Sequence, residues 1–207
     1  FSTITPLPST KRVVTLKQMY LKVGERTLAK NINFELLGQE KIGIIGENGA
    51  GKSTFIKELR NLLQKKKGIT LGYMPQIYPD SLNEVDSPID FLTSTGEAIE
   101  REKILTHLAS LQFTRNEVHH SISQLSGRQK AKFLLLKMVL DQANVLLLDE
   151  PTRNFSPTSQ PQVRKLFTDY SGAIITVSHD RTFLKEVCQK IYRLTETGLE
   201  PVRNEQP

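Results

Sequence analysis

Residues Lys41–Ser53 read K-I-G-I-I-G-E-N-G-A-G-K-S, and the fold turns on this stretch. Lys41–Ile45 is a short apolar run of strand length that ends at Gly46. From Lys52 to about Leu63 the apolar residues Phe55, Ile56, Leu59, Leu62 and Leu63 fall on one face of a helix. Between strand and helix, Gly46-Glu47-Asn48-Gly49-Ala50-Gly51-Lys52-Ser53 has the spacing G-x-x-x-x-G-K-S. Glycines let a backbone wrap closely around phosphate oxygens. The amide N–H groups then point inward, and the helix N-terminus adds partial positive charge. Gly46, Asn48, Gly49, Ala50, Gly51, Lys52, Ser53 and Thr54 are therefore the expected contacts for ATP. Lys52 is expected to meet the β- and γ-phosphates, and Ser53 to give Mg²⁺ a hydroxyl ligand.

Such a loop needs an acidic partner on a neighbouring strand. Val145-Leu146-Leu147-Leu148-Asp149-Glu150 supplies one: four apolar residues ending in two carboxylates. A buried strand carries Asp149 to the sheet edge, where it is expected to hold Mg²⁺. Glu150 is then placed to polarise an attacking water as general base. Either motif alone is weak; each needs the other, and both are present.

Outward from these motifs, Arg12–Leu16 and Asn31–Leu36 carry alternating apolar residues and read as an N-terminal antiparallel β region, with Gly24-Glu25 in a turn between them. Ile69–Met74, Val145–Leu148, Ala173–Val177 and Lys190–Leu194 are further strand candidates. Helices are expected from Pro157 to Tyr170 and from Asp180 to Val187. Strands alternating with helices imply a mostly parallel sheet covered on both faces. The pattern from Ser87 to Val118, and again from Ser126 to Leu140, is helical. It breaks the alternation, so an inserted α-helical subdomain is expected at about 86–140. Lys65-Lys66-Lys67-Gly68 fits a helix C-terminus, cations near the last carbonyls and then glycine; phosphate contact by those lysines is the other reading.

Among 207 residues, 28 are basic and 22 acidic, a net charge of +6. Either a solvated basic surface or an anionic partner such as RNA fits that balance. Cys188 is the single cysteine, which excludes an intrachain disulfide and a thiolate metal cluster and fits a reducing, cytoplasmic setting. No apolar run approaches the roughly 20 residues that cross a bilayer, so direct membrane insertion is not expected. The first dozen residues, Phe1 onward with Pro6 and Pro8, read as the remnant of a linker.

Leu125-Ser126-Gly127-Arg128-Gln129 resembles the L-S-G-G-Q signature of ABC ATPases. Asp149-Glu150-Pro151-Thr152 and Val177-Ser178-His179-Asp180-Arg181 also resemble motifs of that family, in its order, and Gln76 falls where its Q-loop glutamine stands. The chain is thus identified as a P-loop NTPase of the ABC ATPase type. Val177–Phe183 is most similar to the ABC-F group, whose members carry two nucleotide-binding domains and no membrane partner, and many of which act on the ribosome in translation or antibiotic resistance. The proline-containing start points to the second of the two domains. The resemblance implies a head-to-tail sandwich in which Ser126, Gly127 and Gln129 bind the γ-phosphate held by a second ABC domain. It implies that His179 contacts the γ-phosphate and orients water with Glu150, and that Gln76 senses metal and water. No DNA partner is expected.

Three departures qualify the resemblance. Arg128 stands where the signature has glycine, Ser156 where the D-loop has aspartate, and Val23 where an aromatic usually stacks on adenine, with Tyr20 out of register. Two other readings stand beside this one: the ATP-hydrolysing subunit of a membrane transporter, and an interaction module that binds ATP and turns it over poorly.

Overall fold

A computed structural model describes residues 4–76, 87, 89, 98–110, 114–119, 121 and 125–203. The chain divides into two compact units, one formed by 1–76 with 142–207 and the other by 77–141.

In the first unit, strands β1 (Arg12–Val23) and β2 (Arg26–Leu37) form an antiparallel pair. Both are longer than their alternating stretches. Gln18 at φ 50° and Asn31 at φ 57° are non-glycine residues in left-handed conformation, and the β1–β2 register shifts between Leu16 and Met19. Such bulges reset the two-residue period, so the apolar alternation fails mid-strand although pairing continues.

The main sheet has the order β4-β5-β6-β3-β7-β8, with β3 (Lys41–Ile45), β4 (Leu71–Met74), β5 (Val145–Asp149), β6 (Ala173–Val177), β7 (Lys190–Thr195) and β8 (Gly198–Pro201). All pairings are parallel except β7 with β8. Every residue of β5 and β6 is buried, as expected of central parallel strands covered on both faces. β8 is an addition to the expected strands. It is four residues long and returns from β7 through a short turn, too brief to carry a period.

Helix α1 (Lys52–Leu63) buries Phe55, Ile56, Leu59 and Leu63. Phe55 meets Phe34 of β2 edge-to-face at 5.7 Å, and Phe34 meets Tyr192 of β7 at 6.0 Å, so one apolar cluster joins hairpin, helix and sheet. The lysines expected to cap α1 stand outside it. The basic residue in the last turn is Arg60, and Lys65, Lys66 and Lys67 lie past the helix end. Backbone amides of Gln64 and Lys66 close the last carbonyls, and the Lys66 ammonium instead donates to the carbonyl of Val13 at 2.6 Å.

Two further helices, labelled α5 (Gln160–Asp169) and α6 (Arg181–Val187) by chain order, join through Phe167 and Phe183 at 5.8 Å. Cys188 closes α6; its Sγ lies 3.2 Å from where a Cβ on Gly43 would stand, and burial pushes the thiol up to about 12. The second unit contains α2 (Ala98–Ser110), α3 (Arg115–His119) and α4 (Gly127–Leu140) around Ile89, Ile104, Leu108, Val118, Leu125, Phe133 and Leu136. Among the described residues no helix is long and apolar enough to cross a membrane.

Candidate nucleotide site

In a parallel sheet the carboxyl ends of the strands share one edge, and ligands bind there where chain order reverses. β3 sits at such a reversal, because its successors lie on both of its sides. Register levels the relevant ends: Val177 pairs with Ile44 of β3 on one side and with Asp149 of β5 on the other. The residues following β3, β4, β5 and β6 therefore meet. A pocket built wholly from the first unit is lined by Asn48, Gly49, Gly51, Lys52, Ser53, Thr54, Gln76, Asp149, Glu150 and His179, with Leu28 and Val177.

The loop after β3 is fixed by its glycines. Gly51 caps α1 at φ 101°, and a Cβ there would stand 2.9 Å from Leu28 and 3.0 Å from Leu21. Only a residue without a side chain fits. Ala50 donates its amide to Glu47 O at 3.1 Å, closing the turn. Lys52 is 8% exposed and donates to Gly46 O at 2.7 Å and Glu47 O at 2.9 Å. Burial lowers its pKa, while Glu150 and Asp149 pull it back up. A buried ammonium with two carboxylates nearby is thus held at the mouth of the loop.

Ser53 Oγ donates to Asp149 Oδ2 at 2.7 Å. Asp149 is 4% exposed, and its Oδ1 is buried with no hydrogen-bond partner. Burial raises its pKa, against the Ser53 hydrogen bond and the charges of Lys57 and Lys52. Buried carboxylate oxygens are normally satisfied. An orphaned one beside a hydroxyl fits a hard divalent cation bound by oxygen, such as Mg²⁺.

Glu150 has φ 52°, a left-handed backbone that a non-glycine residue adopts at a cost of order 1–3 kcal/mol. Its amide donates to Val177 O at 2.8 Å, which locks the turn to β6. Its carboxylate takes the His179 amide at 3.2 Å on Oε2 and faces His179 Nε2 at 3.3 Å through Oε1. Burial raises the Glu150 pKa; the His179 amide and ring oppose this, and Asp149 adds to it. Below this pair, Thr152 Oγ1 donates to Asp180 Oδ2 at 3.0 Å, and Asp180 Oδ1 caps α6 by accepting from Phe183 N at 3.1 Å. The motif after β5 is thereby tied to the motif after β6.

Ser126, Gly127 and Gln129 belong to the second unit. Ser126 Oγ accepts from Gln129 N at 3.3 Å and Gln129 Oε1 accepts from Ser126 N at 2.8 Å, a capping box that starts α4. Gly127 is the first residue of that helix and Arg128, exposed, the second. Ser156 Oγ engages Thr158 and Ser159 at 3.1 and 3.0 Å. Tyr20 and Val23 are 59% and 53% exposed. Sequence reasoning missed Leu28, Val177 and the Thr152–Asp180 link. Leu28 lies in the part of β2 where the Asn31 bulge hides the apolar period.

A phosphate-binding loop, an acidic strand end and the β4 and β6 turns around one pocket define a P-loop nucleotide-binding fold. A family model described as ABC transporter matches residues 29–153, more than half of the chain. The chain belongs to this family, as an ATP-binding ABC ATPase domain whose relatives are of the ABC-F type. Probable ATP-binding protein YheS of Escherichia coli (strain K12) is 30% identical over 97% of this chain and 33% of its own length. Ribosome protection protein VmlR of Bacillus subtilis (strain 168) is 30% identical over 100% of this chain and 39% of its own. ABC transporter F family member 2 of Arabidopsis thaliana is 28% identical over 92% and 29%. The chain thus spans about a third of the length of the curated relatives it matches. Among solved structures, the dimeric ATP-binding cassette MJ0796 in a post-hydrolysis state bound to ADP and Pi superposes with a TM-score of 0.71 at 18% identity, over 93% of this chain and 99% of that one. That likeness shows a shared fold.

Proposed function

We propose that this domain binds ATP with Mg²⁺ in the pocket and hydrolyses it, as one half of a two-domain clamp within a longer protein that works on the ribosome in the cytoplasm. The Ser53–Asp149 pair carries the reading: a hydroxyl and a buried, half-unpaired carboxylate meet at the helix end of a phosphate loop. Ser53 and Asp149, with Gln76 at the rim, would hold Mg²⁺, which would supply positive charge against the β- and γ-phosphates. The amides of Gly49, Ala50 and Gly51 donate to phosphate oxygens, and Lys52 exchanges loop carbonyls for them. Asn48 and Thr54 complete the cradle.

Glu150 accepts the proton of the attacking water. Burial raises its pKa, which makes its carboxylate a stronger base. Its left-handed turn and two contacts with His179 fix the carboxylate, so little reorganisation is needed as charge develops. His179 orients Glu150 and reaches the γ-phosphate. Ser126, Gly127 and Gln129 close over the ATP of a second ABC domain, with the α4 N-terminus as donor. The domain spans 13–207, with its helical subdomain at about 86–140.

A ribosome protection protein among the relatives supports the ribosomal part of the reading. Glu150→Gln should lower hydrolysis by roughly 10²–10⁴-fold while ATP still binds. A variant that turns over at the parental rate removes Glu150 from the base role. Co-sedimentation of the full-length parent with ribosomes tests the partner; a protein left wholly in the supernatant refutes it.

A further inference from the structure

Thr152 is 4% exposed and lines no part of the nucleotide pocket. Its Oγ1 donates to Asp180 Oδ2 at 3.0 Å, and the other oxygen of that carboxylate accepts from Phe183 N at 3.1 Å to start α6. The Asp180 amide in turn donates to Oγ of Ser178, itself buried, at 3.0 Å. The loop after β6 is thereby stiff from Ser178 to Phe183. In the loop after β5, Arg153 N donates to Glu150 O and Phe155 N to Thr152 O, both at 3.2 Å, which folds that loop into consecutive turns. Two stiff loops leave their separation as the remaining freedom.

At the root, where the strands end, Glu150 N donates to Val177 O at 2.8 Å. Beyond the root, Glu150 meets His179 at 3.2 and 3.3 Å, and Thr152 meets Asp180. The His179 side chain is 62% exposed, so its contact with Glu150 competes with water and fixes the loops weakly. The bond from Thr152 is shielded on its donor side, where losing a partner is costly. A β-branched side chain also has a stiff χ1, which fixes the direction of the hydroxyl. On the reading of this pocket as a site of ATP hydrolysis, we propose that Thr152 is a positioning residue for that reaction. Its hydroxyl, through Asp180, sets the separation of the two loops and so holds His179 against Glu150. It touches no reacting atom, and the phosphate cradle after β3 does not depend on it.

The test compares Thr152→Val, Thr152→Ser and Tyr170→Phe in the full-length parent. Valine keeps the branched shape and removes the donor. Tyr170 supplies the control: its buried hydroxyl donates to Ala143 O at 2.7 Å, before the start of β6 and away from the pocket. Thr152→Val should lower kcat about 10–100-fold, as a catalytic group misplaced by up to about 1 Å does. KM and affinity for a fluorescent ATP analogue should stay within about twofold, because only the transition state loses a contact. Thr152→Ser should recover most of kcat. Tyr170→Phe should melt lower and keep the parental kcat. Without nucleotide, hydrogen exchange at the His179 amide should quicken at least about threefold in Thr152→Val, while the Glu150 amide, tied at the root, should hold.

Parental kcat in Thr152→Val overturns the proposal. So does a joint loss of kcat and analogue binding, a serine variant as slow as the valine one, or an equal loss of kcat in Tyr170→Phe. If Glu150→Gln leaves hydrolysis intact, the reading of the pocket fails instead. The exchange measurement still decides whether Thr152 holds the loops, and unchanged exchange at His179 shows that it does not.

Discussion

Asp149 shows how one residue divides its fitness between folding and chemistry. Its carboxylate is buried, holds one hydroxyl and has one oxygen with no partner. Burial raises its pKa above the ordinary value of 3.8. A raised folded pKa gives stability that is fully present below the unfolded value and lost as pH rises through the folded one. Above the folded pKa the ionised group therefore costs stability. Asp149→Asn should melt higher than the parent at pH 7 without nucleotide, by about 2–4 °C for each kcal/mol relieved. The gap should shrink as pH falls into the carboxylate range. The same variant should lose metal-dependent nucleotide binding. An Asp149→Asn protein that melts lower at pH 7 contradicts the view that the site keeps a strained carboxylate. The identity of this residue, with Lys52, Ser53 and Glu150, was legible in the sequence because each ends or begins a strongly patterned element. The left-handed turn at Glu150 was not, since nothing in a Leu-Asp-Glu-Pro run marks a positive φ.

At the scale of elements, the loop and α1 act as one piece. The sequence marks α1 at its structural limits because four buried side chains repeat at helical spacing and Gly51 and Lys52 open it. Gly51 and Gly49 both have positive φ, yet only Gly51 is crowded: a Cβ on Gly49 meets nothing within 4 Å. Gly51→Ala should thus destabilise the domain by more than the backbone cost alone, which is about 1–2 kcal/mol, and should disable nucleotide binding. Gly49→Ala should incur only the backbone cost. Denaturant unfolding of both variants decides; equal losses would mean that Leu21 and Leu28 yield without penalty. β1 and β2 were only half legible, because the bulges at Gln18 and Asn31 interrupt alternation without interrupting pairing. The lysine run was misread for a related reason. Cations after a helix look like caps, and only the bond from Lys66 to Val13 shows that the turn faces another strand.

For the molecule as a whole, the proposed clamp sets the expectation for activity. In that proposal helix α4 would serve an ATP held by a second domain. Turnover by dilute protein should be slow, and should rise with concentration or on adding the missing part of a full-length relative. Rapid turnover, independent of concentration, by a strictly monomeric sample removes the clamp. The ABC ATPase class was legible at this scale because five motifs occur in order, each tied to a strand end or a helix start. The partner was not, since charge balance names no molecule.

Cys188 sits behind Gly43, where burial pushes its thiol up to about 12. Electrophiles and peroxides consume thiolate, and at cellular pH this group offers almost none. The cysteine of the folded domain is therefore a poor target for oxidative damage. The domain's nucleotide chemistry should persist through bursts of oxidant that inactivate enzymes with accessible, acidic cysteines.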